Sequence, residues 1–217
     1  MKIKFIYDED KDIECLLKKG PGSHNQPGQM TDTYRKLLSF APEVGNKDKV
    51  KEFVRKYISE NNIDVWELEG KLQNNWDSVA GEFERRAERI FGVKISDQIT
   101  AYMTITGRYP YYIEDGNKCF YVPAQKENAN ATAMHELWHF FTWFKFGESE
   151  PADPQRYNDT KEALTVLLNI ECSDLIPGVE DRGYVQHVRL RDLAASEWTK
   201  SKDINKVWEV LQSRYIR

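Results

Sequence analysis

The segment from Met134 to Phe146 limits what this chain can fold into, because a helix there is apolar over most of its surface. A helix that is hydrophobic almost all round is normally buried. Asn128 and the small residues after it are typical of a helix start, and Gly147 is typical of a helix end. We therefore predict a buried helix between these positions. Its apolar residues are Met134, Leu137, Trp138, Phe140, Phe141, Trp143, Phe144 and Phe146.

This apolar helix carries the spacing His135-Glu136-Leu137-Trp138-His139. Residues four apart lie on one helical face with Cβ atoms about 5–6 Å apart, so both imidazoles can reach one tetrahedral metal ion. Glu136 then lies beside the ion, where its carboxylate can take a proton from bound water. The pattern predicts His135 and His139 as metal ligands and Glu136 as a general base.

An ordinary solvated stripe is the alternative interpretation of the same helix. Its polar residues recur at helical spacing, as the exposed face of an amphipathic helix does. The residues of this stripe are Thr132, His135, Glu136, His139, Thr142 and Lys145.

The HExxH pattern resembles that of the zincin superfamily of zinc metallopeptidases. One subgroup has an extended HExxHxxGxxH pattern, which Thr142 and Lys145 exclude here. The gluzincin subgroup takes its third ligand from a glutamate on a second helix at least some twenty residues downstream. Glu162 lies 23 residues after His139, within a stretch at 158–169 that is typical of a helix start and an amphipathic helix. The resemblance implies Zn²⁺ held by His135, His139 and Glu162, with a fourth position for water.

Two features of this second helix leave alternatives open. Many gluzincins place an aspartate four residues after the third ligand, where this chain has Val166, so Thr165, Asn169 or a carbonyl must orient the histidine. Asp159-x-x-Glu162 also matches a capping pattern, in which the glutamate folds back onto the start of its own helix.

Other carboxylates could replace Glu162 as the third ligand. These candidates are Glu148, Glu150, Asp159 and Glu171.

The C-terminal section offers further candidates for chemistry. If residues 182–191 open a helix, Tyr184, His187 and Arg191 fall on one face. Gluzincins use Tyr or His donors to stabilise the oxyanion of peptide hydrolysis, so the resemblance implies Tyr184 or His187 in this role. Arg191 could hold a substrate carboxylate in a bidentate pair. Tyr157 is a weaker candidate for the oxyanion contact.

The remaining pattern predicts an α+β, zincin-like fold that is mostly helical, with a small sheet preceding the HExxH helix. The strand segments are 2–7, an alternating segment at 99–106, and a returning strand at 119–122 after a turn at 115–117. The helices are 31–41, 47–61 and 63–92. We expect an N-terminal, mainly helical region at 1–95 and a zincin-like catalytic region at 96–217.

Composition excludes several classes of partner. The net charge of −4 gives no reason to expect nucleic-acid binding, and no segment is long enough to span a membrane. Three widely spaced cysteines do not form a disulfide framework, and the start lacks the apolar run of a signal peptide. The sequence predicts a cytoplasmic zinc-dependent peptidase acting on a peptide or protein. The alternatives are a regulatory protein that cleaves or binds one partner, and a non-catalytic binding protein on a zincin fold.

Overall fold

The computed structural model describes residues 1–17, 32–41, 46–105, 110–113, 118–124, 129–147 and 153–215. Among them, helices predominate over a small mixed sheet, which confirms the predicted α+β class. In this described part, no helix is both long and apolar enough to cross a membrane. The strands are β1 (Lys2–Tyr7), β2 (Gln98–Thr104), β3 (Tyr111–Tyr112) and β4 (Cys119–Pro123). The helices are α1 (Glu9–Leu17), α2 (Asp32–Phe40), α3 (Lys47–Glu60), α4 (Val65–Phe91), α5 (Ala129–Phe146), α6 (Pro154–Leu164), α7 (Val166–Glu171), α8 (Val188–Ser201) and α9 (Ile204–Ser213), with a 3₁₀ turn at Val185–His187.

The chain forms two compact units. The sheet unit comprises Lys2–Trp76 and Asp97–Ala133, and the helical unit comprises Met1, Asp77–Ser96 and Met134–Arg217. The boundary between the units falls within α4 and within α5. The predicted division into 1–95 and 96–217 stays a prediction.

The sheet has the strand order β1-β2-β4-β3. The three strands β1, β2 and β4 are parallel, and β3 pairs antiparallel with β4. Along β2, Ile99, Ala101 and Met103 are buried while the residues between them are more exposed, which confirms the predicted two-residue alternation as far as Met103. Thr104, predicted on the more exposed face, is buried as well. All of β4 is buried, as is usual for an inner strand of a parallel sheet.

The strand predicted to return at 119–122 runs in a direction that the sequence did not indicate. It returns along the short β3 but is parallel to β2, with Thr100 opposite Cys119 and Met103 opposite Val122. The predicted turn at 115–117 lies outside the described residues. Two strands joined by a local turn are the simplest interpretation of alternation followed by turn residues, whereas parallel pairing depends on contacts distant in sequence.

A buried carboxylate joins α1 to the end of β2 within the sheet unit. Asp12 is fully buried; its Oδ1 accepts a hydrogen bond from Thr104 Oγ1 at 2.6 Å, and its Oδ2 accepts one from the amide of Ile105 at 3.3 Å. Burial raises the pKa of Asp12 to about 7, although these two donors favour the ionised form.

The helical unit is organised around the apolar helix α5. Trp138 and Phe141 of α5 pack against Phe83 and Phe91 of α4, with ring centroids 5.1–6.4 Å apart. All four side chains are completely buried, so the predicted interior position of the helix is confirmed. Offset and edge contacts of this kind add to the stabilisation from burial alone.

Glycine determines where α5 ends. Gly147 follows the last helical residue, and its amide donates to Trp143 O at 2.7 Å. A Cβ at this position would lie 2.7 Å from the ring of Trp143, so any larger residue would displace that side chain.

Aromatic packing also fixes α6 within the helical unit. The ring of Tyr157 contacts Trp143 of α5 and Trp208 of α9, and Trp208 stacks on Phe146 at 4.3 Å. Helix α6 begins at Pro154 with Asp153 as its N-cap, whereas the sequence suggested a start near Asn158. Proline in the first turn and an aspartate cap are a complete start signal, located a turn earlier.

Replacing Thr104 by Val tests the Asp12 contact. We expect the free energy of unfolding to fall by about 2 kcal/mol at pH 8, because hydrogen bonds to charged groups contribute roughly 1.5–3 kcal/mol. The loss is smaller at pH 5, where Asp12, with its pKa raised to about 7, is protonated in the folded protein. Urea denaturation at both pH values measures the difference.

The pH dependence of the native chain is a second test, and Thr199→Val is the control. The contribution of Asp12 to stability falls as the pH rises from about 4 to about 7, because in this range the folded state holds a proton that the unfolded state has released. Thr199 donates to Ala195 O on an exposed helix face, so its replacement should change stability by less than about 0.5 kcal/mol. A Thr104→Val loss that is the same at both pH values contradicts this account.

Candidate metal centre

The two histidines of α5 face each other one helical turn apart. His135 Nε2 and His139 Nε2 lie 3.0 Å apart, and the rings are nearly perpendicular. His139 is buried and His135 is partly buried. The spacing of the pattern therefore places both nitrogen atoms at one point.

Glu162 of α6 brings a carboxylate to the same point. Its Oε1 lies 3.4 Å from His139 Nε2, and its Oε2 lies 3.7 Å from His135 Nε2. One ligand atom from each of the three residues lies within 4.8 Å of the others, which is a group that could hold a metal ion. We call His135, His139 and Glu162 the metal group.

The donor set fits a tetrahedral divalent ion. Ligands at about 2.0–2.1 Å from a tetrahedral ion are roughly 3.3 Å apart. The two histidine nitrogens are 3.0 Å apart, and each lies 3.4–3.7 Å from one of the Glu162 oxygens. Within the described part of the chain, Glu162 Oε2 is buried without a hydrogen-bond partner. A buried carboxylate oxygen needs a partner, and a cation at this point would provide one.

Asp181 holds the outer nitrogen of His135. The His135 Nδ1–H donates to Asp181 Oδ2 at 2.5 Å, which fixes the tautomer and directs Nε2 toward the metal group. Ligand histidines commonly have a carboxylate or a carbonyl in this position, which orients the ring and raises its basicity.

The sequence suggested Thr165 or Asn169 as the group that orients a ligand histidine. Both contact Asp181 instead. Thr165 Oγ1 donates to Asp181 Oδ1 at 2.9 Å. The Asn169 side chain makes two hydrogen bonds of 2.8 Å to the Asp181 backbone, one to its carbonyl and one from its amide. They therefore position the carboxylate that positions the histidine.

Arg191 completes the support of Asp181. Its Nη1 lies 3.0 Å from Asp181 Oδ1 and donates to Thr165 Oγ1 at 2.6 Å, and its Nη2 donates to the Asp181 carbonyl. The side chain is 7% exposed. The predicted contact of Arg191 with a substrate carboxylate stays a prediction, but the guanidinium is already held by protein groups.

These contacts set opposite protonation states for the two histidines. Burial by itself lowers the pKa of His135, but the hydrogen bond to Asp181 and the nearby carboxylates outweigh it and raise the pKa to about 9. Burial lowers the pKa of His139 well below its usual range, and the positive charges of Lys161 and His135 lower it further. In the absence of a metal, protonated His135 can donate from Nε2 to the neutral His139.

Glu136 is buried next to the first histidine. Burial raises its pKa to about 8, and the negative charge of Glu162 acts in the same direction, while His135 and Lys161 lower it. A carboxyl group with a pKa near neutrality can both accept and return a proton, as a general base requires.

The structure contradicts two alternative interpretations of the sequence. Glu136, His139 and Thr142 are buried, so the polar positions of α5 are not a solvated stripe. Glu162 is in the ninth position of α6, whose cap is Asp153, so the Asp159-x-x-Glu162 spacing is not a capping pair. The prediction of a solvated stripe is wrong because α5 is covered by apolar residues over most of its surface, so little of the helix can face solvent.

The other carboxylates considered as third ligands have different surroundings. Asp159 accepts hydrogen bonds from His187 Nε2 and Tyr215 Oη, and Glu171 accepts from Trp198 and Lys202. Glu148 and Glu150 lie outside the described residues.

The C-terminal candidates do not share a helical face as predicted. Tyr184 precedes the 3₁₀ turn in an extended conformation and is 49% exposed, whereas His187 is buried. The ring of Tyr184 packs edge-on against that of His187 at 5.6 Å. His187 Nε2 is 3.0 Å from Asp159, one turn before Glu162 on α6. Tyr157 is buried inside α6 and not ahead of it.

Asp181 is the important residue that sequence reasoning missed. It lies 19 residues after Glu162 in an irregular segment between α7 and the 3₁₀ turn, where no periodicity marks it. The nearest signal is Gly183, which has a φ of +60°. A Cβ on Gly183 would lie 2.6 Å from Arg191 Nη1, so this glycine allows the arginine to reach Asp181.

A scan against protein-family models, a search of curated proteins and a search of solved structures each find no match to this chain.

Replacing Asp181 by Ala tests the support of the metal group without any metal. We expect the free energy of unfolding to fall by about 3 kcal/mol, because the variant leaves the buried Arg191 without its carboxylate. Urea denaturation in the presence of a chelator measures the change. Asp192→Ala on the exposed side of α8 is the control and should alter stability by less than about 0.5 kcal/mol. Equal stability of Asp181→Ala and the native chain would show that the ion pair contributes nothing.

Proposed function

We propose that this protein is a zinc-dependent peptidase of gluzincin type. The observation that carries the proposal is the convergence of His135, His139 and Glu162 from two helices, with Asp181 behind the first histidine. The order of a small sheet followed by the HExxH helix is in keeping with a zincin-like fold. Two histidines and one carboxylate are a common ligand set of catalytic zinc, with a fourth position for water.

In this proposal, the metal group holds Zn²⁺. When bound, the ion acts as a Lewis acid toward a peptide carbonyl and acidifies a water molecule. Asp181 keeps His135 Nδ1 protonated, so that the lone pair of Nε2 is available as a ligand. The low pKa of His139 keeps its imidazole neutral, as a ligand must be.

Glu136 carries the proton transfers. Its carboxylate accepts a proton from the attacking water and delivers it to the amine that leaves when the peptide bond breaks. The burial of Glu136 supports this role, because it raises the pKa of the carboxyl group and so makes its carboxylate a stronger base.

His187 is the better supported of the two oxyanion donors. Asp159 accepts a hydrogen bond from its Nε2 and so fixes the ring. Its Nδ1 is buried without a hydrogen-bond partner in the described part of the chain. An imidazole N–H held in this way can stabilise negative charge on a carbonyl oxygen. Tyr184, packed on the same ring, is the second candidate.

Metal content per chain is the first test of the proposal. We expect close to one zinc ion in the native protein after gentle purification, and almost none in His139→Ala or Glu162→Ala, because each variant removes one of three protein ligands. Elemental analysis measures the ratio. Glu209→Ala, an exposed carboxylate of α9, should keep the ion. Zinc that survives Glu162→Ala would remove that glutamate from the metal group.

Glu136→Gln separates metal binding from catalysis. The variant should retain zinc, because Glu136 is not in the metal group, and should lose peptide hydrolysis by about 10²–10⁴-fold, the usual contribution of a positioned general base. Cleavage of a peptide or protein that the native chain hydrolyses, followed by mass spectrometry, measures the loss. Unchanged cleavage by a zinc-loaded variant would rule out Glu136 as the base, whereas a zinc-loaded native chain that cleaves nothing would favour a binding protein.

A further inference from the structure

Tyr215 follows α9 and contacts helix α6 through its hydroxyl group. Its Oη donates to Asp159 Oδ2 at 2.5 Å. Near the end of α9, Gln212 Nε2 donates to Thr160 Oγ1 at 2.9 Å, and the guanidinium of Arg156 lies 5.7 Å from the centre of the Tyr215 ring. The end of α9 and the residue after it are therefore held against two neighbouring residues of α6.

Asp159 accepts hydrogen bonds from three side chains. Its Oδ1 accepts from Gln155 Nε2 at 2.8 Å and from His187 Nε2 at 3.0 Å, and its Oδ2 accepts from Tyr215. Only 17% of the Asp159 side chain is exposed. Hydrogen bonds to a carboxylate are among the strongest in proteins, and a carboxylate with both oxygens engaged is held in one orientation. Tyr215 therefore helps to fix the group that holds the His187 ring.

The second ring nitrogen of His187 is the end of this series of contacts. The side chain of His187 is 6% exposed, and in the described part of the chain its Nδ1 is buried without a hydrogen-bond partner. A buried polar atom needs a partner, and a substrate can provide one. Asp159 lies three residues before Glu162 on α6, so the two carboxylates are neighbours on one face of that helix. The His187 ring is thus attached one helical turn from the metal group.

We propose that Tyr215 is a positioning residue that acts on His187 through Asp159. This inference rests on the proposed function, in which His187 stabilises the oxyanion. The Tyr215 hydroxyl restricts the carboxylate, the carboxylate restricts the imidazole, and Nδ1 is thereby held in one place. A donor that is already oriented stabilises a transition state better than a mobile one, because it does not have to reorganise during the reaction.

Hydrogen exchange of the His187 ring tests the proposal without enzyme activity. NMR of the full chain with ¹⁵N-labelled histidine detects the ring N–H groups, and loss of a signal in His187→Gln identifies the one that belongs to His187. Both the neutral ring bound to Asp159 and the imidazolium carry a proton on Nε2, so this signal reports on the contact in either state. We expect the proton to exchange with water about tenfold faster in Tyr215→Phe, as for the loss of one hydrogen bond.

Gln212→Met is the matched control, because a purely structural anchor is the other role that Tyr215 could have. Gln212 also holds the end of α9 against α6, but through Thr160 and not through Asp159. The exchange of the His187 proton in Gln212→Met should therefore equal that in the native chain. If Tyr215→Phe does not fold, as judged by circular dichroism, Tyr215→Leu replaces it.

A double-mutant cycle measures the effect on hydrolysis by the zinc-loaded chain. Tyr215→Phe should lower kcat about tenfold with little change in KM, because the affected contact is made in the transition state. In a His187→Gln background the same substitution should change kcat by less than about twofold, because the residue through which Tyr215 acts is absent. An equal loss of kcat in both backgrounds would overturn the proposal.

The outcomes separate this proposal from the proposed function. Native exchange of the His187 proton in Tyr215→Phe would overturn the role of Tyr215 and leave the metal centre intact. Equal acceleration in Tyr215→Phe and Gln212→Met would assign the effect to anchoring of α9 and would also overturn the proposal. A zinc-loaded native chain that hydrolyses no peptide would overturn the peptidase and the oxyanion role, while the exchange rates would still decide whether Tyr215 holds the ring.

Discussion

The hydrogen bond between His135 and Asp181 is the contact on which the candidate metal centre depends. It fixes one ligand nitrogen, and it is also where the supporting contacts of Thr165 and Arg191 converge. Groups from α5, the junction between α6 and α7, and α8 therefore share one carboxylate of the irregular segment after α7. Because a buried charge without partners is strongly unfavourable, each contact stabilises the others, and the ring of His135 is held in one orientation.

Aromatic packing provides the rigid frame for these polar groups. Trp138 and Phe141 anchor one side of α5 within the helical unit, and Tyr157 lies between Trp143 and Trp208. The two helices that carry the metal group are thus held by apolar contacts that are independent of any ion. In the proposed metal centre, this support would keep the ligands close together before an ion binds, which would lower the entropy cost of binding.

Local patterns predicted most secondary-structure elements. The structure agrees with the predicted strand β1 at Lys2–Tyr7 and with the predicted helices α2, α3 and α4. Their apolar residues recur with the period of the face that each element buries. The predicted start of α6 was wrong, and the parallel pairing of β4 with β2 was not predicted. Both depend on information outside a short window: a stronger cap one turn earlier, and strand partners distant in sequence.

The sequence by itself determined the helix α5, its burial and the pairing of His135 with His139, since helical spacing alone brings two residues four apart onto one face. It also proposed Glu162 by resemblance. The tertiary structure alone decided that Asp181 is the partner of His135 and that Arg191 is held by Asp181. These contacts join an irregular segment to two helices, α5 and α8, and no local period encodes which distant charges will meet.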